Sequence, residues 1–418
     1  MPAIILSIGD ELVSGLTVNT NATWLSGQLS AIGISTVRHV TVGDDQNAIA
    51  AAIRETCGQC PLVLISGGLG PTLDDVTREA LADALGTYLV EDAAALAQLE
   101  AFFQRIHRPM APSNRRQAQR PQTGRCMPNS CGTAPGIFVS TSSTDIFVVP
   151  GVPSEMQAMF TESILPRLGQ HSKDMVTRTY RLNTFGIGES VLGQRIADLM
   201  VRGANPSIGT TVHEGVVSVR IYARGSAAQA NAMVEEARGK IIHRLGQVIF
   251  SEQEQTLEDA LAVLLNKYGS TIAVAESCTG GLLAQMLTSI PGSSSYFQRG
   301  WVTYSNRSKI EDLGVPPELL QTPGAVSEPV AMAMAQGALR RAGSQWALSI
   351  TGIAGPEGGT DEKPVGLVYI GLAGPEGTIV RRNVFTGDRG GIRRRSAQMA
   401  MTILRLHLQG LDPDTVLA

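Results

Sequence analysis

The polar residues with the most chemistry to offer lie in the last third of the chain. From Thr256 onward the one histidine is His407, so a Ser–His–Asp triad lacks its imidazole near the polar stretches. A hydrolase built from this segment must use Cys278, a lysine-activated serine or a metal ion. Serines cluster in Pro291-Gly292-Ser293-Ser294-Ser295, followed by Val302-Thr303-Tyr304-Ser305-Asn306 and then Lys309. Lys309 is the one lysine near these stretches; the others in the segment are Lys267 and Lys363. A partly buried lysine sheds its proton more readily and can serve as a base. Ser294, Tyr304 and Lys309 therefore form a coherent set of nucleophile, proton relay and base. The plainer reading makes Tyr304 a core residue and Lys309 a surface charge.

Two further loops follow apolar runs in this segment. Glu276-Ser277-Cys278-Thr279-Gly280-Gly281 brings hydroxyls and a glycine pair to the start of a helix, where an anion such as a ligand phosphate could bind. The same residues also make an ordinary Ser/Thr cap with a glycine turn. Thr351-Gly352-Ile353-Ala354-Gly355 offers backbone N–H donors suited to an oxyanion. Near the amino end, Gly67-Gly68-Leu69-Gly70-Pro71-Thr72-Leu73-Asp74-Asp75 allows close backbone approach to a bound group. Asp10, Glu11, Asp44, Asp45, Asp74 and Asp75 all follow expected strands, so their carboxylates could gather on one rim and hold Mg²⁺ or a similar ion against a diphosphate. Taken singly, each acid is equally a helix cap.

The elements that must position these residues alternate strand and helix. Residues 4–8, 36–42, 62–66 and 146–149 read as strands, with helices near 23–32, 47–57, 74–85 and 154–168. Residues 176–250 read as a small α+β module, and 251–255 as a linker. From 256 the alternation resumes, with strands at 271–275, 301–304, 346–350, 365–372 and 379–385 and a closing helix at 392–408. The expected architecture is two α/β domains with mainly parallel sheets, 1–170 and 256–418, joined by the module at 176–250. In such sheets ligands sit beyond the carboxyl ends of the strands.

Composition narrows the function. The chain has 418 residues, 43% hydrophobic and 17% charged, with a formal net charge of −3. That suits folded domains and supplies no global positive field for nucleic acid or a membrane surface. The start carries no secretory pattern, and five cysteines fit a reducing, cytoplasmic setting. Cys57 and Cys60 with Cys126 and Cys131 could make a thiolate zinc site, but inert thiols are the plainer reading. The six histidines form no metal-like pair. The arginines at 389, 393, 394 and 395 read as a solvated helix face.

Several blocks resemble the CinA, or competence/damage-inducible, family. In the first domain these are Ile8-Gly9-Asp10-Glu11-Leu12, Asn19-Thr20-Asn21, Ser66 through Thr77, and Pro150-Gly151-Val152-Pro153-Ser154-Glu155-Met156. The resemblance implies a molybdopterin-binding-like fold with metal-dependent ADP-ribose pyrophosphatase activity. It implies a nucleotide or diphosphate site at Asp10, Glu11, Asn21, Gly67, Gly68, Gly70, Thr72, Asp75 and Pro153, and a divalent ion on Asp10, Asp44 and Asp74. In the third domain, Ala275 through Gly281, Pro291 through Ser294, Val302 through Asn306 with Lys309, and Thr351 through Pro356 resemble the carboxyl-terminal CinA domain. That domain is a nicotinamide mononucleotide amidohydrolase requiring no cofactor. The family's serine, tyrosine and lysine carry over to Ser294, Tyr304 and Lys309, with Ser293 and Ser295 as neighbouring choices. Substrate contacts are expected from Ser277, Thr279, Gly280, Gly281, Thr351, Gly352 and Gly355. The middle module resembles a KH-like unit, yet offers only Gly186-Ile187-Gly188 in place of an RNA-clamping Gly-x-x-Gly loop. Small nucleotides, a homodimer, and no nucleic acid or membrane are the expected partners. The alternatives are a molybdopterin-binding or adenylyl-transferring first domain, and an adaptor in DNA uptake or recombination.

Overall fold

The computed structural model describes residues 1–168 and 175–417. The expected domain end at 170, His171 and residue 418 lie outside them. The chain divides into two packing units, Met1–Arg178 with Ala223–Ala232, and Thr179–Tyr222 with the chain from Met233 onward.

The first unit carries strands β1 (Pro2–Ile8), β2 (Ser35–Val42), β3 (Leu62–Ser66), β4 (Leu89–Glu91), β5 (Gln119–Pro121), β6 (Arg125–Met127), β7 (Gly136–Ser140) and β8 (Asp145–Val149). Six of them form one sheet in the order β2-β1-β3-β8-β7-β6. Pairings among β2, β1, β3 and β8 are parallel, and β7 and β6 add antiparallel. Residues 3–8 and all of β3 are buried, as unbroken apolar runs covered on both faces require. Leu6, Ile65 and Val148 face one core with Ile49 and Ile53; Ile5, Leu64 and Phe147 face the other with Leu25 and Phe160. The helices start where the sequence supplies caps. Asn19 accepts from Ala22 N ahead of Thr20–Ala31, and Asp45 from Ala48 N ahead of Gln46–Thr56.

The middle module is a four-stranded sheet made of β9 (Val176–Thr184), β10 (Ser207–His213), β11 (Val216–Gly225) and β12 (Ile249–Glu252), in the order β10-β11-β9-β12. Part of the expected linker is therefore an edge strand, because residues 249–252 pair with β9.

The third domain has β13 (Ile272–Glu276), β14 (Phe297–Val302), β15 (Trp346–Gly352), β16 (Leu367–Gly374) and β17 (Gly377–Val384), in the order β14-β13-β15-β16-β17. The three strands at the site are parallel. The other two form a hairpin, because a two-residue connection leaves room for antiparallel pairing alone. β14 begins earlier than the sequence suggested and ends at Val302, so Thr303 and Tyr304 stand beyond the strand rather than in it. A capping box of Thr256 and Asp259 opens the helix Leu257–Lys267, and the long helix Arg389–Leu408 closes the domain behind an Asp388 cap. Among the described residues no helix is long and apolar enough to cross a membrane.

Candidate active site at the carboxyl edge of the third sheet

β13 lies between β14 and β15, so the chain direction across the sheet reverses there, the position beyond whose carboxyl ends open α/β sheets bind their ligands. Ser277 follows β13 directly. Thr303 follows β14, its N–H donating to Glu276 O at 2.8 Å. The helix Asn306–Leu313, capped by Ser305, then turns Lys309 inward. Lys309 is 1% exposed; its Nζ donates to Thr303 O at 2.7 Å and to Ser277 Oγ at 3.1 Å. Burial pushes this amine down from its usual 10.5 to about 8. A lysine and a serine expected in different roles thus meet.

The expected nucleophile Ser294 does not take part. It sits, exposed, on the turn Ser293–Ser295 just before β14, where Ile272 N donates to Tyr296 O at the amino edge of the sheet. The five residues of β13 separate that edge from Lys309 by about 16 Å, at ~3.3 Å per residue. Ser295 is likewise tied to the amino edge, its Oγ donating to Asn266 Oδ1 at 2.7 Å. Tyr304 is not a relay either: it is 60% exposed, and its hydroxyl accepts from Arg389 Nη2 at 2.9 Å. Burial pushes the Cys278 thiol up to about 11, so at neutral pH it lacks the thiolate a cysteine nucleophile needs.

The loop after Ser277 also departs from expectation. The N–H group of Gly281, in the loop expected to hold a phosphate, donates instead to the buried carboxylate of Glu276 at 3.1 Å, as do those of Leu283 and Ala284 just after it at 3.0 and 2.8 Å. Thr279 is fully buried with its hydroxyl unpartnered, as is that of Thr303. The N–H groups of Cys278 and Thr279 donate to no backbone carbonyl among the described residues. Thr351 is buried, its hydroxyl donating to Ala325 O at 2.8 Å. Gly352 ends β15 against Val368, and the Gly355 carbonyl accepts from Arg389 Nη1 at 2.6 Å.

Arginines read from sequence as a solvated face hold this site together. Arg389 joins Gly355 to Tyr304, and Arg393 Nη2 donates to Thr279 O at 2.6 Å. Their spacing of four residues, which places both on one helix face, was the signal available in the sequence.

In the first domain the corresponding reversal lies between β1 and β3. A cleft of about 140 Å³ there is lined by Glu11, Asn21, Ser66, Gly151 and Pro153, among others. Asn21 Nδ2 donates to Ser66 Oγ at 3.1 Å and to Gly151 O at 2.7 Å, stitching three segments. Gly67 and Gly68 take φ of 116° and 67°, and a Cβ on either would strike Ile8 O or Thr77 Oγ1. Gly70 N and Thr72 N, expected to face a ligand phosphate, donate to Asp75 at 2.8 and 2.9 Å. Asp75 therefore braces the loop. Fully buried Arg78 supports it from below, donating to Leu69 O at 2.8 Å and Gly70 O at 2.6 Å.

The three-carboxylate ion site on Asp10, Asp44 and Asp74 is not assembled: among the described residues no three Asp, Glu, His or Cys side chains form a metal-holding group. Asp10 and Asp44 do cross-bond, each accepting the other's N–H, at 2.9 and 3.0 Å. Asp44 is held above the usual carboxylate range, first by burial and then by the charges of Asp10, Glu11 and Asp74. A cation would relieve that repulsion, and two carboxylates are donors of the kind a hard divalent ion takes.

Comparison with known proteins agrees with this division. Residues 4–170 match the family described as "Probable molybdopterin binding domain", residues 179–251 the "Damage-inducible protein CinA KH domain", and residues 254–408 the "CinA C-terminal domain". A CinA-like protein of Geobacter sp. (strain M21) is 44% identical over 98% of this chain and 98% of its own length. One from Solibacter usitatus is 41% identical over 98% of this chain and 99% of its own. Among solved structures, a competence/damage inducible protein from Agrobacterium tumefaciens is 41% identical, covering 37% of this chain and 93% of its own, with a TM-score of 0.36. Matched end to end at such identities, and meeting three family descriptions in order, the chain belongs to the CinA family.

Proposed function

We propose that the third domain hydrolyses the carboxamide of nicotinamide mononucleotide, giving nicotinate mononucleotide and ammonia, with Ser277 as nucleophile and Lys309 as base. The observation that carries this reading is a buried amine, lowered to about 8, placed 3.1 Å from a serine hydroxyl. In its neutral form Lys309 Nζ takes the Ser277 proton as Oγ attacks the amide carbon. The protonated amine then returns that proton to the departing ammonia, leaving an ester on Ser277. Water, deprotonated by the same amine, attacks the ester carbon, and the ammonium returns that proton to Ser277 Oγ as the C–O bond breaks and the acid is released. The N–H groups of Cys278 and Thr279, which directly follow Ser277 and donate to no backbone carbonyl, are the donors assigned to the oxyanion.

The first test is ammonia release from nicotinamide mononucleotide by the full chain. Its pH profile carries the sign of the mechanism. Only the deprotonated amine is a base, so kcat/KM should rise with unit slope as pH approaches about 8 and level off above it. A rate that falls across that range contradicts the assignment.

For the first domain we propose ADP-ribose hydrolysis at the glycine loop. Asp10 and Asp44 would hold a divalent ion there, which supplies charge neutralisation at the diphosphate. Addition of EDTA should abolish AMP release from ADP-ribose and leave ammonia release unchanged. Arg78→Met should weaken ADP-ribose binding by about 10- to 100-fold, because the loop carbonyls lose their anchor. Calorimetric titration measures it. Tight binding of molybdopterin without ADP-ribose turnover would favour a pterin-binding domain instead.

A further inference from the structure

Cys57 and Cys60 join the helix Gln46–Thr56 to β3, at the opposite end of that strand from Ser66 and the glycine loop. The chain doubles back between them. Gln59 N donates to Thr56 O at 3.2 Å, and Gly58 takes a φ of 83°, which glycine adopts without strain. Cys57 and Cys60 consequently face each other across an isolated β-bridge. Such a pairing brings Cα atoms to about 5 Å, inside the ~4.4–6.8 Å that a disulfide spans. It also sends the two side chains to one face, and both cysteines pack against the same apolar core. Thr144, 2% exposed, locks the turn: its hydroxyl accepts from Gly58 N and donates to Cys60 O, each at 2.9 Å.

The two thiols differ in access. Cys57 is half-buried, whereas Cys60 is 6% exposed. Both are free thiols. Burial pushes the Cys57 thiol up, and the residue follows the end of its helix rather than the start, so no helix N-terminus favours the thiolate. Dithiols that act as strong oxidants stabilise their reduced form through such a thiolate. This pair has no such stabilisation, so its disulfide, once closed, holds against reduction. Two thiols fixed in one turn also react with each other faster than with a second small molecule.

We propose that Cys57 and Cys60 form a redox-active dithiol, with Cys57 the attacking and Cys60 the resolving thiol, which closes to a disulfide by exchange with a low-molecular-weight disulfide. The Cys57 thiolate attacks one sulfur of that reagent; its S–S bond breaks, one thiol leaves, and the other half stays joined to Cys57. The Cys60 thiolate then attacks Cys57 Sγ, the mixed S–S bond breaks, and the second thiol leaves. The two cysteine protons end on the two released thiols. The chain gives up two electrons, and the reagent gains them. The pair shares no residue with either proposed catalytic site.

The test is incubation of the full chain with oxidised glutathione at about pH 9, where more thiolate forms, followed by peptide mapping by mass spectrometry. In the parent, the segment holding both cysteines should lose two hydrogen atoms and carry no glutathione. In Cys60→Ser, glutathione should stay on Cys57. In Cys57→Ser, Cys60 should take glutathione about 10-fold more slowly or less, because it is buried. Exposed Cys131 marks that the reagent has reached the chain. If a variant fails to fold, the parent map alone decides. Glutathione retained on Cys57 of the parent, or both thiols still free after Cys131 has reacted, overturns the proposal.

Discussion

Lys309→Met is expected to lower ammonia release from nicotinamide mononucleotide by about 10³-fold or more, with the fold intact. Methionine fills the same buried path but has no lone pair basic enough to take the Ser277 proton. Ser277→Ala should fall as far, and the two losses should not add, because one base serves one nucleophile. Ser294→Ala, at the opposite edge of the sheet, should stay within about twofold of the parent, as surface changes usually do. The stability readout has a definite sign. The amine titrates near 8 when folded and near 10.5 when free. Between those values the unfolded chain holds a proton that the folded chain lacks, so stability rises with pH across that window. Below about pH 8 the full cost of burying the amine, roughly 3 kcal/mol, weighs against the fold. Lys309→Met removes that cost and in return leaves Thr303 O without its donor, about 1–3 kcal/mol. The melting temperature at pH 7 should therefore stay at or above the parent's. A variant that keeps its rate within tenfold would remove Lys309 from the mechanism.

The elements that carry this chemistry were legible where one physical rule dominates. The unbroken apolar runs of β1, β3 and β13 can only be strands buried on both faces, and the polar motifs that follow them land on the carboxyl rim as the alternation requires. Lys309 was legible too, by elimination, as the one lysine near the polar stretches. Its partner was not. Ser294 is closer to Lys309 in sequence, but the chain between them runs the length of β14, so the strand carries the two apart. Ser277, thirty-two positions earlier, sits at the end of the adjacent parallel strand, beside the point where β14 also ends. Proximity across a parallel sheet depends on strand order and register, which local spacing does not encode. The backbone donors were misread for a related reason. Glycine loops after strands offer N–H groups to a ligand only when no nearby acid takes them first. Here Asp75 takes those of Gly70 and Thr72, and Glu276 those of Gly281, Leu283 and Ala284. An acid within a glycine loop reads equally as ligand or as brace until the side chain's direction is known.

Glu276 should prove as consequential as the catalytic pair without touching substrate. Its side chain is fully buried at the end of β13, and its two oxygens take three N–H groups from the start of the helix Leu282–Thr288. Those three bonds fix the turn on which Ser277 stands. Glu276→Leu orphans the three donors in a dry setting and should cost about 3–5 kcal/mol of stability, read as a lowered denaturation midpoint. Glu276→Gln is the sharper probe. It keeps shape and one acceptor oxygen, but turns an amide N–H₂ toward backbone donors that need an acceptor. The protein should still fold, with the turn displaced by a fraction of an ångström. Such a shift weakens the 3.1 Å contact between Ser277 and Lys309, and kcat should fall by about 10²-fold with little change in KM. The rise in rate toward pH 8 should keep its midpoint, because the amine's burial, the cause of its lowered value, is untouched. A moved midpoint would make Glu276 an electrostatic partner of Lys309. An unchanged kcat would mean that the turn holds Ser277 in place without this carboxylate.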